Sequence, residues 1–458
     1  MRSITSLLLA AICAAILLGT AQSSVIEPRL YNAIRFPDPV DDPFYKAPAN
    51  LASLSRGEII RERPVDTIVG GAAKSAHQIL YRTEDSVGAP DAVVATVFAP
   101  HKPAPGPPKI LAILLPQDSA SFHCSASWAL IPGTTNPLNT AVVGAPNLPS
   151  FYAALAQGWY IVAPDHEGSK ATFIAGPGAG RASLDSISAI LQHKPTITAS
   201  TAGYTSAAYG YSGGAHAAAW TNQLASSYGS SLNFAGAAYG GTVAYLRPVI
   251  DQLNKSPFAG FGGAGIAGLA NAYKELDDYI KTVVRPNGTA ALERLRGPQG
   301  CTHNEIGDFF GKDVYSYVTV PNVLDEPIPK KYIELNNLGK DVLQKPAFIY
   351  HAATDEVINT QQIIDYYNDQ CKRGASSIQL AIADPSTHFV PLVTGLPPAF
   401  IFLNKILNGN LDHKGCSMTR GLVPSLGSSA AKNALGQQAV AASFALRGTK
   451  IGSETINF

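Results

Sequence analysis

Between Arg56 and Pro100 the chain alternates apolar and polar positions or runs in short apolar blocks, as at Gln78 to Arg82 and Ala92 to Phe98, with Val87-Gly88-Ala89-Pro90 between the blocks. A period of two interrupted by glycine and proline belongs to strands joined by a turn, so this segment predicts an antiparallel hairpin that opens a sheet. The texture changes at Ile110. Apolar runs at Ile110 to Leu115, Tyr160 to Ala163 and Thr205 to Tyr209 are separated by helical patterns near Phe151 to Gln157 and Ser183 to Gln192, and Gly214 to Ser227 follows with Trp220 and Leu224 at helical spacing. Strands apolar on both sides, alternating with helices, call for a mostly parallel sheet covered on both faces. The fold class is therefore α/β.

From Tyr245 to Lys330 the alternation stops. Phe258 to Leu269 sets Gly and Ala between Phe258, Phe261, Ile266 and Leu269, and amphipathic patterns follow near Tyr273 to Val283 and Thr289 to Leu295. This is the pattern of a helical insertion, to be read either as a cap or lid over a site or as a static helical subdomain. Strands resume at Ala347 to His351 and Ser377 to Ala383, and a helix near Pro397 to Leu407 closes the core. The expected organisation is a core built from residues 22–244 and 331–458, with a C-terminal tail, around an insertion at 245–330.

Residues 1–21 read as a signal peptide. Arg2 supplies the positive start, Leu7 to Leu18 is apolar but short for a bilayer, and Gly19-Thr20-Ala21 offers small residues for cleavage before Gln22. No later run is long and apolar enough for a membrane anchor, so the expectation is a secreted, extracellular protein. Of five cysteines, Cys13 leaves with the signal. Cys124, Cys301, Cys371 and Cys416 remain as an even set, for which two disulfides in one of three connectivities are expected and a zinc site is not. Asn287-Gly288-Thr289 is a glycosylation sequon, whereas Asn254-Lys255-Ser256 is followed by Pro257. The formal net charge of +1 supplies no basic field for nucleic acid. With 15% charged against 46% hydrophobic residues, the composition suits an enzyme that meets apolar substrate and equally a large alanine-rich core.

The chemistry enters at Gly210-Tyr211-Ser212-Gly213-Gly214, a G-x-S-x-G pentapeptide with a strand before it and a helix after it. That context is a nucleophile elbow, in which glycines allow the strained turn that presents the serine, and it points to an α/β-hydrolase. A serine hydroxyl needs a histidine base and a carboxylate to orient that base, and in this fold they follow the serine in the order acid, histidine. His388, just after the strand ending near Ala383, has the expected position. His413 is its rival, while His216, His303 and His351 lie within the elbow helix, the insertion and a strand end. Asp355 follows the strand Ala347 to His351 and is the expected acid, with Glu356 and Asp384 as rivals and a helix N-cap as its alternative role. Oxyanion donors are expected from the backbone of Gly213 and from the loop Pro116-Gln117-Asp118-Ser119.

With these residues in place, the chain resembles the fungal secretory lipase family of the lipase A type. The resemblance rests on Gly210 to His216, Asp165-His166-Glu167-Gly168, Pro257-Phe258-Ala259-Gly260-Phe261 and Asp355-Glu356, and it runs from Asp42-Pro43-Phe44-Tyr45 to the C-terminus. It implies Ser212, Asp355 and His388 as a triad, backbone donors of Asp118 and Gly213 as the oxyanion hole, a helical lid, and disulfides Cys124–Cys301 and Cys371–Cys416. The chain departs from the family pattern at Thr387, where a glutamate is common, and at Phe389-Val390-Pro391. The expected activity is hydrolysis of carboxylic esters, triacylglycerol first, through an acyl-enzyme and without cofactor or metal; Asp165 to Gly168 is expected to be structural. The expected partner is a lipid or ester, met at an oil–water interface. Small or bulky esters, and a non-catalytic binding role, are the other readings.

Overall fold

A computed structural model describes residues 36–421, 426–451 and 453–458; the expected signal segment lies outside them. Ten strands make one sheet: β1 Ile59–Pro64, β2 Ala73–Glu84, β3 Pro90–Pro100, β4 Lys109–Leu114, β5 Tyr160–Pro164, β6 Thr205–Tyr211, β7 Phe234–Gly240, β8 Ala347–Ala352, β9 Ser377–Ala383 and β10 Gly415–Gly421, in the order β1-β2-β3-β5-β4-β6-β7-β8-β9-β10. The hairpin β2–β3 is antiparallel to its neighbours, and every pairing from β5 to β10 is parallel.

Strand β4 shows why both faces are covered. Ile110, Ala112 and Leu114 pack on one side with Leu184, Ile187 and the alanines of the helix Gly213–Leu224. Leu111, Ile113 and Leu115 point to the other side, among Phe151, Trp159, Phe400 and Leu403. A strand buried on both faces reads as a continuous apolar run, as β4 does. Phe400 is completely buried and stacks on Trp159 with ring centroids 5.8 Å apart; truncating such a ring costs about 3–5 kcal/mol.

Two features depart from the sequence expectation. The helix expected near Ser183 begins at Gly176, because Gly176 and Gly180 are not turn glycines. A Cβ on Gly176 would sit 1.9 Å from the Trp220 indole, so glycine here lets two helices touch. The second is the edge strand β10 and the helix Ser429–Ala445 beyond the expected closing helix. β10 is polar and mostly exposed, so it has no apolar signature, and Cys416 within it is bonded to Cys371.

The chain between Gly240 and Ala347 forms the helices Leu246–Leu253, Ala259–Ala272, Lys274–Val283, Pro286–Arg296, Thr302–Asp308 and Pro327–Leu335, with their own apolar cluster. The disulfide Cys124–Cys301 ties this helical region to the loop after β4. Exposed Asn287 begins one of these helices, whereas the Asn254 side chain donates to Asp313 and accepts from Val314 N–H.

Candidate active site

β4 lies between β5 and β6, so successive connections leave it toward opposite sides and open a crevice at the strand ends. Ser212 stands there, at the end of β6, with φ 56° and ψ −124°. A non-glycine residue at such angles costs on the order of 1–3 kcal/mol and persists only where the surroundings impose it. The neighbouring glycines show how. A Cβ at Gly210 would meet the Gly214 carbonyl oxygen at 2.1 Å, and one at Gly214 would meet that of Leu114 at 2.0 Å. Strand, turn and helix therefore press together backbone to backbone around the serine.

The Ser212 hydroxyl lies 3.0 Å from Nε2 of His388. On the other side of the ring, Nδ1 is 2.8 Å from Oδ2 of Asp355. Oδ1 of Asp355 accepts the N–H groups of Val357 and Ile358 at 3.0 and 2.7 Å, and the cap of the following helix is Asn359. Burial would raise the Asp355 carboxyl, but His388, His351 and the Ile358 N–H outweigh it and hold it below the usual range. Burial would likewise lower the His388 imidazole, and Asp355, followed by Glu356 and Asp118, outweighs it and raises it. A fixed carboxylate, an imidazole and a serine hydroxyl in line form the relay that acyl transfer needs.

The rivals lie elsewhere or do other work. His413 bridges Ser377 and Ser417 at the opposite end of β9 and β10. Buried His216 binds the Val243 carbonyl, His351 that of Ile358, and half-buried His303 stays in the helix Thr302–Asp308. Asp384 pairs with Arg420 at 3.6 Å. Glu356 accepts the main-chain N–H of His388 at 2.9 Å, and the Tyr211 hydroxyl donates to the His388 carbonyl.

One expected detail differs. The backbone N–H of Asp118 is directed to Oε1 of Glu167 at 3.0 Å, not to the serine. It is the side chain that faces the elbow: a Cβ at Gly213 would fall 1.7 Å from Oδ1 of Asp118, and that oxygen has no hydrogen-bond partner among the described residues. Burial pushes the Asp118 carboxyl up to about 7, with His388 opposing. Glu167 and Glu305, both fully buried beside it, are raised by burial and by these neighbouring acids. Such a carboxyl is neutral through the acid range and carries an O–H donor. Gly213, first in its helix, has an N–H with no acceptor inside the helix.

The sequence reading assigned no partner to Glu167. Its position in the Asp165-His166-Glu167-Gly168 segment was the available signal. Asp165 accepts Ser127 N–H and Oγ–H at 2.6 Å each, His166 binds the Leu115 carbonyl at 2.8 Å, and Glu167 holds Asp118, so the whole segment braces the loop after β4. Among the described residues no group of His, Cys, Asp and Glu is arranged to hold a metal ion.

The crevice at Ser212 is walled by Phe173, Ile174, Leu246, Val249, Phe261 and Val357 and has a cavity volume of about 50 Å³. Ile250 is also on the wall of a second, almost wholly apolar cavity of about 80 Å³ inside the helical region.

A mostly parallel sheet with a strained serine after a central strand, an acid after a later strand and a histidine after the next makes the protein an α/β-hydrolase of the carboxylic-ester hydrolase class. The sequence profile of the Secretory lipase family matches residues 134–415. Lipase A of Moesziomyces aphidis is 35% identical over 418 residues, 89% of this chain and 87% of the relative. Lipase 1 of Candida albicans is 32% identical, covering 83% of each. The crystal structure of Candida antarctica lipase A in its closed state superimposes with a TM-score of 0.86 at 31% identity, over 92% of this chain and 99% of that one. The chain belongs to the secretory lipase family.

Proposed function

We propose that the protein is a secreted triacylglycerol lipase working by two-step acyl transfer. His388 takes the proton of Ser212 as its Oγ attacks the ester carbonyl. The Gly213 N–H and the neutral Asp118 carboxyl donate to the oxyanion, the imidazolium returns the proton to the leaving alcohol, and water activated by His388 then releases the acid. Asp355 keeps the imidazole in the tautomer that accepts from Ser212.

The observation carrying this reading is the Asp355–His388–Ser212 relay opening onto a mostly apolar crevice, with a second apolar cavity that shares Ile250 on its wall. That the relatives are named lipases supports the same substrate class. Secretion is supported by the signal-like start and by two disulfides; among the described residues no helix is long and apolar enough to cross a membrane.

The test is hydrolysis of p-nitrophenyl esters from acetate to palmitate and of emulsified triacylglycerol, with Ser212→Ala in parallel. Activity on long chains and emulsion, lost by about 10⁶ in kcat in the variant, is expected. Activity confined to acetate would replace the lipase by a short-ester esterase, and undiminished activity of Ser212→Ala would overturn the mechanism.

A further inference from the structure

The ring of His388 is held by Asp355 and Ser212, but those bonds alone do not fix where the main chain carries the ring. His388 sits in the loop between β9 and the helix Leu396–Leu407, and a displacement of about 1 Å at such a base costs about 10²-fold in rate. The main chain of His388 has its own two partners. Its carbonyl accepts the hydroxyl of Tyr211, the residue before Ser212. Its N–H donates to Oε2 of Glu356, the residue after Asp355, at 2.9 Å.

We infer that Tyr211 and Glu356 are positioning residues: the strand end bearing the nucleophile and the turn bearing the acid each extend a side chain that registers the histidine's backbone between them. The inference rests on the triad reading above. Tyr211 suits the task because it cannot follow the loop. It is 2% exposed within β6, and its ring lies 5.7 Å from that of Tyr350 and 5.5 Å from the imidazole. Gly241, at φ +59°, leaves the space in which phenol and imidazole meet, since a Cβ there would lie 2.9 Å from Cε1 of His388 and 3.0 Å from the Tyr211 ring. Glu356 is reached through the same turn that presents Asp355, so movement of the acid and of the N–H acceptor is coupled. The second position of the G-x-S-x-G motif thereby acquires a role that packing alone does not require, since phenylalanine would fill the same volume.

The test is steady-state kinetics on a short, soluble p-nitrophenyl ester, with melting temperature, for Tyr211→Phe, Glu356→Ala and Glu356→Gln, with Ser212→Ala as control. Tyr211→Phe and Glu356→Ala are expected to lower kcat by about 10-fold or more with KM within about twofold, while Glu356→Gln, whose amide oxygen still accepts the N–H, recovers most of the loss. The pH profile separates geometry from charge. The ionisable groups acting on His388 are Asp355, Glu356, Asp118 and His351. Removing the Glu356 carboxylate in Glu356→Gln moves the acid limb to lower pH, and Tyr211→Phe leaves it in place. If Ser212→Ala is inactive while Tyr211→Phe and Glu356→Ala keep kcat within twofold, the positioning role is overturned and the triad stands. If Ser212→Ala retains activity, both fall.

Discussion

The sheet and the helical region between Gly240 and Ala347 meet at the same serine but hold themselves together differently. Beneath the site, several buried acids accept from nearby hydroxyls and main-chain N–H groups: Asp165 from Ser127, Asp185 from Thr83 and Tyr228, and Asp355 from Val357 and Ile358 besides His388. The helical region carries exposed pairs such as Arg247–Asp325, Lys281–Asp277 and Lys331–Glu275, buries one acid, Glu305, against the site, and leaves an apolar cavity beside its own core cluster. Exposed pairs contribute little, and an unfilled apolar space forfeits dispersion contacts. The difference separates two kinds of support: the site's hydrogen-bond distances are set by buried contacts of the sheet, whereas the helical region adds the apolar walls of the crevice.

The sharpest break is in the rigid part. Asp355→Asn keeps the shape but favours the wrong imidazole tautomer, so kcat should fall by about 10⁴ with the fold intact by circular dichroism. Next is the joint between the regions. Replacing Cys124 and Cys301 by serine opens a loop of sequence separation 177; chain entropy puts the loss near 5 kcal/mol, read by chemical denaturation. If unfolding instead becomes biphasic, the helical region melts separately and the comparison sharpens.

Asp118 lies at the contact of the two regions and should govern pH dependence. His388 must be neutral to accept the proton, so activity rises with pH through its raised pKa; Asp118 must be protonated to donate, so activity falls as pH passes about 7. Asp118→Asn keeps an N–H donor and should remove the alkaline limb, whereas Asp118→Ala should cost about 10²–10³ in kcat at all pH. Stability has its own sign. Asp118 and Asp165, both pushed up to about 7, bind protons in the folded chain that the unfolded chain releases near 3.8. Their contribution is complete below that value and is lost as pH rises through about 7, which denaturation at pH 4, 6 and 8 will follow. The smallest effect belongs to the helical region. Gly262 lines the crevice with only Leu253 within reach of an added Cβ, at 3.6 Å. Gly262→Leu should lower palmitate relative to acetate hydrolysis by about 10–200-fold and leave acetate kcat unchanged.

Much of this was legible in one dimension. The apolar runs of β4 and β6, the alternating hairpin, the break in texture after Tyr245 and the elbow pentapeptide are local patterns, and local backbone sterics and burial on both faces dictate them. The order acid then histidine followed from loops after successive strands. Polar β10 escaped notice because an edge strand buries too little to leave a pattern. The helix start at Gly176 lay ahead of the expected Ser183 because nothing nearby in sequence announces Trp220, the residue that glycine must let approach.

By itself, then, the sequence determined the α/β class, the strained position of Ser212 and the residue types able to form a triad, since each depends on neighbours a few residues away. Only the tertiary structure decided that His388 and not His413 reaches Ser212, that Asp118 gives its N–H to Glu167 and its carboxyl to the elbow, and that Tyr211 and Glu356 grip the histidine's main chain. Those are contacts between residues far apart in the chain, and their hydrogen bonds and burial exist only after the sheet has brought the loops to one edge.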